Sequence, residues 1–144
     1  MDDNFRAEGL VRLTLVTQKI ARCLANDAGL TVNEFHCMMQ LHLEKPCCVR
    51  KLTEILGIGT TSTSKLLRAL DEKGWITRDL DPTDRRMERV ALTASGFDVV
   101  QRIMQAADAA VVALIEQLPL DRRGPFTECV HSVTRHITTL SHHK

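Results

Sequence analysis

The tripeptide Gly57-Ile58-Gly59 narrows the fold of this chain more than any other feature, because of what lies on either side of it. From Cys48 to Leu56, Val49, Leu52, Ile55 and Leu56 recur at helical spacing and are expected to point inward. After the turn, Thr60 or Thr61 is placed to cap a second helix reaching about Lys73, with Leu66, Leu67 and Leu70 facing a core. Two short helices joined by a glycine-containing turn form a helix-turn-helix. Gly74 ends the second helix. Ile76–Leu80 and Glu88–Leu92 then read as a hairpin, with Leu80, Val90 and Leu92 half-buried and a polar loop between the strands, Asp81-Pro82-Thr83-Asp84-Arg85-Arg86.

Helices are expected on both sides of this centre. Leu10, Leu13, Val16, Ile20 and Leu24 make an amphipathic pattern over about residues 5–25, stopped at Asn26-Asp27-Ala28-Gly29. Thr31 and Glu34 have the spacing of a capping box, opening a helix that carries Phe35, Met38, Met39, Leu41 and Leu43 up to Pro46. Thr93 caps a long helix whose Phe97, Val100, Met104, Ala107, Val111, Leu114 and Leu118 alternate in threes and fours, a heptad seam longer than a small core needs. Pro119 breaks it, and a last helix from Asp121 to about Leu140 aligns Phe126, Val130, Val133 and Ile137. The fold class is mainly α with a small β-hairpin wing.

Composition excludes several function classes. Charged residues make up 26% and apolar residues 44% of 144, an ordinary globular balance with room for one core. The chain opens on Asp2-Asp3, without a basic leader or an apolar run of spanning length, so a soluble, cytoplasmic protein with no membrane partner is expected. Charge is uneven: residues 45–93 hold ten Lys and Arg against seven Asp and Glu, while the remainder is slightly acidic. A basic middle on a neutral scaffold suits nucleic acid. There is no phosphate loop, nucleophile elbow or metalloprotease pair, so neither an enzyme nor a cofactor is expected.

The run from Leu30 to Gly96 resembles the MarR family of bacterial winged-helix regulators. The resemblance is carried by Leu30-Thr31 with Glu34-Phe35, by Leu52 and Leu56-Gly57-Ile58, and by Leu70 with Lys73-Gly74-Trp75-Ile76-Thr77-Arg78. It continues through Asp81-Pro82 with Asp84-Arg85-Arg86 and through Val90, Leu92-Thr93 and Gly96. It implies a single domain over 1–144 that forms a homodimer, with residues 1–29 and 97–144 as a helical dimerisation region and 30–96 as the winged helix. It also implies a repressor on pseudo-palindromic double-stranded DNA, released by a small-molecule effector.

Within that frame the helix after the turn is the recognition helix. Thr60, Thr61, Ser62, Ser64, Lys65 and Arg68 are its groove-facing candidates, since hydroxyls reach phosphate or base edges and Lys or Arg reach guanine acceptors. By resemblance, one arginine of Arg85-Arg86 enters the minor groove, Asp84 holds the loop by an ion pair, and Arg78 joins the DNA-binding set. Inserted arginine suits the concentrated negative potential of a narrow minor groove. The effector pocket is expected between the dimerisation helices and the winged part, with Met38, Met39 and Met104 as a soft lining.

Five cysteines without a secretory signal read as free thiols. Cys47 and Cys48 are redox candidates: Cys48 stands at a helix N-terminus near Arg50 and Lys51, an arrangement that lowers a thiol's pKa. An oxidant- or electrophile-sensing regulator on the same scaffold is thus a second reading, against which Cys37 and Cys129 would be plain core residues. His36, His42, His131, His136 and the pair His142-His143 match no compact ligand spacing, so no metal site is assigned. A winged helix used only for protein interaction is a third reading, one that would not need the basic wing or the Lys65/Arg68 face.

Overall fold

A computed structural model describes residues 3–44 and 46–141, with side-chain surroundings for 8–132 other than 10, 45 and 114. Expectations placed on the side chains of Leu10, Leu114, Val133, His136 and Ile137, and on His142 and His143, lie outside the described residues. Six helices and three strands follow in the order α1 (Asp3–Asp27), α2 (Val32–Glu44), β1 (Cys47–Cys48), α3 (Val49–Leu56), α4 (Thr60–Glu72), β2 (Ile76–Leu80), β3 (Glu88–Leu92), α5 (Ala94–Glu116) and α6 (Leu120–Ser141). Contacts divide the chain into two units, Met1–Gln105 and Ala106–Lys144.

In the first unit α1 stops where its sequence foretells. The N–H of Leu30 donates to Ala25 O at 2.8 Å and that of Gly29 to Asn26 O at 3.0 Å, a Schellman closure. The capping box of α2 forms as expected: the Thr31 N–H donates to Glu34 Oε2 (2.8 Å) and the Glu34 N–H to Thr31 Oγ (3.2 Å). Around α2 the core gathers Phe35, Cys37, Met38, Leu41, Leu52, Leu66, Leu67, Leu70, Ile76, Val90, Val99, Val100 and Ile103.

The sheet has three strands rather than two, in the order β1-β3-β2 and antiparallel throughout. Cys47 and Cys48 pair with Val90 and Arg89, and Cys48, expected as the first residue of α3, is its N-cap, with the helix itself beginning at Val49. Two residues are too few for an alternation to show in sequence. Strand geometry still sorts them: Cys47 shares the inward face of Val90 and is buried, whereas Cys48 points the other way and is half-exposed.

Several apolar expectations are corrected. Leu43 (70% exposed), Leu80 (65%) and Ile55 (42%) stand outside the core. Leu80 lies beyond the reach of the helices, paired with Glu88 at the far end of the hairpin. In α5 the buried face is Gly96, Val99, Val100 and Ile103, while Phe97 of the heptad seam is exposed. The helix therefore carries two apolar stripes that share Val100, one buried in the core and the heptad seam beside it. Within the second unit, Arg123 donates to the carbonyls of Leu118 (3.1 Å) and Glu116 (2.9 Å), satisfying acceptors left open at the end of α5.

Candidate nucleic-acid interface

The helix-turn-helix is set by backbone chemistry at its turn. Gly57 adopts φ +62° and closes α3 through its N–H to Thr53 O (3.1 Å), a conformation that costs other residues energy. The cap of α4 is Gly59 rather than Thr60 or Thr61, and no side chain completes it. Both threonines are left free to face outward. The hydroxyl work falls to a residue that the sequence reading passed over: Thr63 is fully buried, donates to Gly59 O (3.2 Å) and meets Thr53 Oγ at 3.1 Å across the two helices.

Thr63 and the leucines face in, and so the remaining positions of α4 face out. Thr60, Thr61, Ser62, Ser64, Lys65 and Arg68 are all exposed. Arg68 makes a solvent-facing i,i+4 pair with Glu72 at 3.2 Å, a contact too weak to hold it from a stronger acceptor. Lys65 has no carboxylate partner among the described residues.

The wing is fastened differently from the expectation. Asp84 accepts the Arg86 N–H at 3.0 Å and forms no ion pair among the described residues. The residue that holds the loop is Asp81: its Oδ1 accepts the Thr83 hydroxyl (2.5 Å) and the N–H groups of Thr83 (2.8 Å) and Asp84 (3.1 Å), and its Oδ2 lies 3.4 Å from Arg89 Nε. Those hydrogen bonds, the Thr83 hydroxyl first, hold the Asp81 carboxyl below the ordinary range. The signal was present in sequence as Asp-Pro-Thr-Asp, an Asx-turn pattern.

Arg78 is tied within the wing. It makes a bidentate pair with Glu88 across the hairpin (2.6 and 3.0 Å), diagonal neighbours on one face. Each raises or lowers the other toward its charged form, Glu88 below and Arg78 above its ordinary value. Arg78 is thus a strut of the wing whose charge is already answered. Arg85 and Arg86 stay exposed beyond it, with no carboxylate partner among the described residues.

The three methionines differ in burial. Met38 is sealed in the core, and Met104 packs partly buried against it. Met39 instead lines an open groove of about 210 Å³ with His36, Gln40, Leu43, Ile55 and Leu56, between the outer faces of α2 and α3. Burial pushes the Cys47 thiol up to about 11, and that of Cys37 to about 12. Burial thus disfavours the Cys47 thiolate, the form that a redox nucleophile uses. Cys129, weighed as a core residue, is exposed on the chain. Among the described residues no group of three or more ligating side chains could hold a metal. No helix among them is long and apolar enough to cross a membrane.

A helix-turn-helix packed on a three-stranded sheet, with a basic hairpin loop beyond it, is a winged helix-turn-helix. Residues 30–87 match the model of the MarR family. Residues 30–87 thus form a winged helix-turn-helix region of the MarR type.

Its curated relatives include the uncharacterised HTH-type transcriptional regulator YwaE of Bacillus subtilis, 26% identical over 62% of this chain and 53% of that protein. Another is a putative transcriptional regulatory protein for the hcr operon of Thauera aromatica, 31% identical over 62% and 54%. The chain thus spans about half the length of the curated relatives it matches. Among solved structures, the wild-type apo MarR of E. coli superposes with a TM-score of 0.70 at 21% identity, over 86% of this chain and 95% of that one. A MepR mutant of S. aureus, solved bound to an oligodeoxyribonucleotide, gives 0.65 at 22% over 93% and 97%. At such identities the likeness speaks for the fold.

Proposed function

We propose that the chain is a DNA-binding repressor that acts as a homodimer on pseudo-palindromic double-stranded sites and is released by a small-molecule effector. The observation that carries this reading is the outward face of α4, where Thr60, Thr61, Ser62, Ser64, Lys65 and Arg68 stand exposed on a helix whose opposite face is locked in the core. A side chain that is merely solvated needs no such backing. A helix meant to lie in a major groove does, because base contacts demand a fixed register. Arg85 and Arg86, exposed on a braced wing, add the cationic arm.

Dimerisation is supported by apolar side chains left bare: Val16 (53% exposed) and Ile20 (40%) on α1, Val111 (49%) and Val112 (54%) on α5, and Phe126 (46%) on α6. The domain assignment, residues 30–96 for DNA and 1–29 with 97–144 for the partner, follows the same division. For the effector, Met39 and its groove are the remaining lining, once Met38 is in the core.

The test is a titration of the pure protein on random and genomic upstream DNA at several salt concentrations. Selection of a site with half-sites about one helical turn apart supports the dimeric reader. Arg86→Ala should weaken binding to all sequences and lower the salt slope by about one, while Arg68→Ala should relax preference at one position by about 1–3 kcal/mol. Equal loss on all DNA from both variants would overturn the assignment of α4 to base reading. Absence of binding at low salt, in reducing buffer, would overturn the DNA reading itself.

A further inference from the structure

Lys73 is the C-cap of α4, the proposed recognition helix, and belongs to none of the DNA-facing positions, yet it is held by two partners. Its Nζ donates to Glu34 Oε1 at 2.7 Å, bridging 39 residues of sequence, and sits 4.9 Å above the Trp75 ring. Glu34 is only 6% exposed. One of its oxygens closes the first turn of α2 on the Thr31 N–H while the other grips the end of α4.

The chain beyond Lys73 is clamped as well. Gly74, at φ +69°, turns the chain back in a Schellman closure, with the Trp75 N–H donating to Leu70 O (3.1 Å). Thr93 then bonds this turn twice: its N–H to Trp75 O (3.0 Å) and its hydroxyl to Gly74 O (2.7 Å). Gly96 passes so close that a Cβ there would lie 2.0 Å from Trp75 O. The C-terminal end of α4 is thus pinned to the first turns of both α2 and α5, whereas its N-terminal end has one polar tie to another helix, Thr63 to Thr53. Between the two ends, Leu66, Leu67 and Leu70 hold by apolar contact, which fixes depth but not angle.

The geometry points to Glu34 and Lys73 as positioning residues that set the tilt of α4, so that sequence discrimination depends on an ion pair remote from the DNA. This rests on the DNA-reading proposal above. Thr61 and Lys73 each lie six residues from Leu67, so the two arms of the lever are about 9 Å long. A tilt of about 5° about the leucines moves either end by about 0.8 Å, more than the spread of good hydrogen-bond lengths. A buried ion pair adds little stability over apolar packing, and its directional hold is what a lever needs.

The experiment uses the full chain with Lys73→Met, Lys73→Arg and Glu34→Gln. It measures affinity for the selected site and for random DNA, the salt slope, and backbone amide exchange at residues 61–65 of the free protein. Lys73→Met and Glu34→Gln are expected to cut the specific-to-random ratio by about tenfold, the worth of roughly one base hydrogen bond. The salt slope should be unchanged, exchange at 61–65 should quicken, and Lys73→Arg should restore both the ratio and the exchange. A lowered melting temperature with an unchanged ratio would overturn the proposal and leave the pair as structural only. So would a salt slope reduced by about one with equal loss on all DNA, which would make Lys73 a phosphate contact. If the wild type selects no DNA, the DNA reading fails on its own, and unchanged exchange at 61–65 would still sink the lever.

Discussion

The winged unit and the helices that flank it treat their apolar side chains in opposite ways. Every buried apolar residue among those described lies between Ala25 and Ile103. Before that span Val11, Leu13, Leu15, Val16 and Ile20 are exposed, and after it so are Val111, Val112, Leu120, Phe126 and Val130. On average the flanking helices are as apolar as those of the centre, though α1 and α6 are less sharply amphipathic than α3 and α4, so apolar content does not explain the difference. What differs is closure: the winged unit folds α2, α3, α4 and a sheet around one core, whereas each flanking helix offers a stripe that needs cover from elsewhere. Leaving such stripes in water forgoes about 25 cal/mol per Å², the ground on which a second copy of the chain is proposed to cover them.

The largest test of this contrast is Leu67→Ala. Leu67 is fully buried, and its truncation should cost about 2–5 kcal/mol of unfolding free energy in denaturant titration. A cost below about 1 kcal/mol would mean that the winged core is looser than its burial implies. The next is Val111→Asp. In the single chain Val111 is half in water and the change would matter little. In a dimer interface it would bury a charge, at a cost of about 2 kcal/mol or more, or roughly thirtyfold in the dimer dissociation constant by sedimentation. A variant that sediments as the wild type does would remove this face from the interface.

How much of this was legible in the sequence follows from the range of each signal. Thr31 with Glu34, the Gly57 turn and the hairpin Ile76–Leu80/Glu88–Leu92 were readable because each is local: a cap, a positive φ or an alternation declares itself within a few residues. The outward face of α4 was readable for the same reason, since helical period fixes which residues oppose Leu66, Leu67 and Leu70. What was missed depends on neighbours distant in sequence. Cys47-Cys48 became a strand only because β3 runs beside it. Arg78 is paired within the wing because Glu88 sits diagonally across the hairpin, and Asp81 rather than Asp84 took the wing's ion pair because Arg89 returns to it. Choosing between the two stripes of α5 likewise required knowing where the core lay.

A smaller effect sharpens the contrast within the winged unit itself. Burial opposes the charged form of Glu34, but Lys73 and the Thr31 hydrogen bonds outweigh it and hold the carboxyl below its ordinary 4.5. A carboxylate more acidic in the folded state stabilises above its unfolded pKa, and that stability is lost as pH falls through the folded value. The stability gap between wild type and Glu34→Gln should therefore be full above about pH 4.5 and shrink on acidification below it. A gap that stayed constant from pH 7 to pH 3 in denaturant titrations would show that the Glu34 charge contributes nothing to folding.

The gentlest probe asks the five thiols to report the two regions directly. Cys37 and Cys47 are buried in the winged unit, while Cys23 on α1 and Cys129 on α6 are exposed on the single chain. With its thiol raised from 9.0 to about 11, Cys47 carries about a hundredfold less thiolate at neutral pH than an ordinary cysteine, before any steric protection. Brief alkylation followed by mass mapping should therefore mark Cys23 and Cys129 first, Cys48 next, and Cys37 and Cys47 only on unfolding. The dimer adds a second expectation. If partner helices cover the flanks, Cys23 and Cys129 should react more slowly in the wild type than in Val111→Asp at the same concentration, while Cys48 reacts alike in both. Equal rates at the flanking cysteines would mean that exposure in the single chain is also exposure in solution, and the contrast between the two regions would then need an occupant other than a second copy.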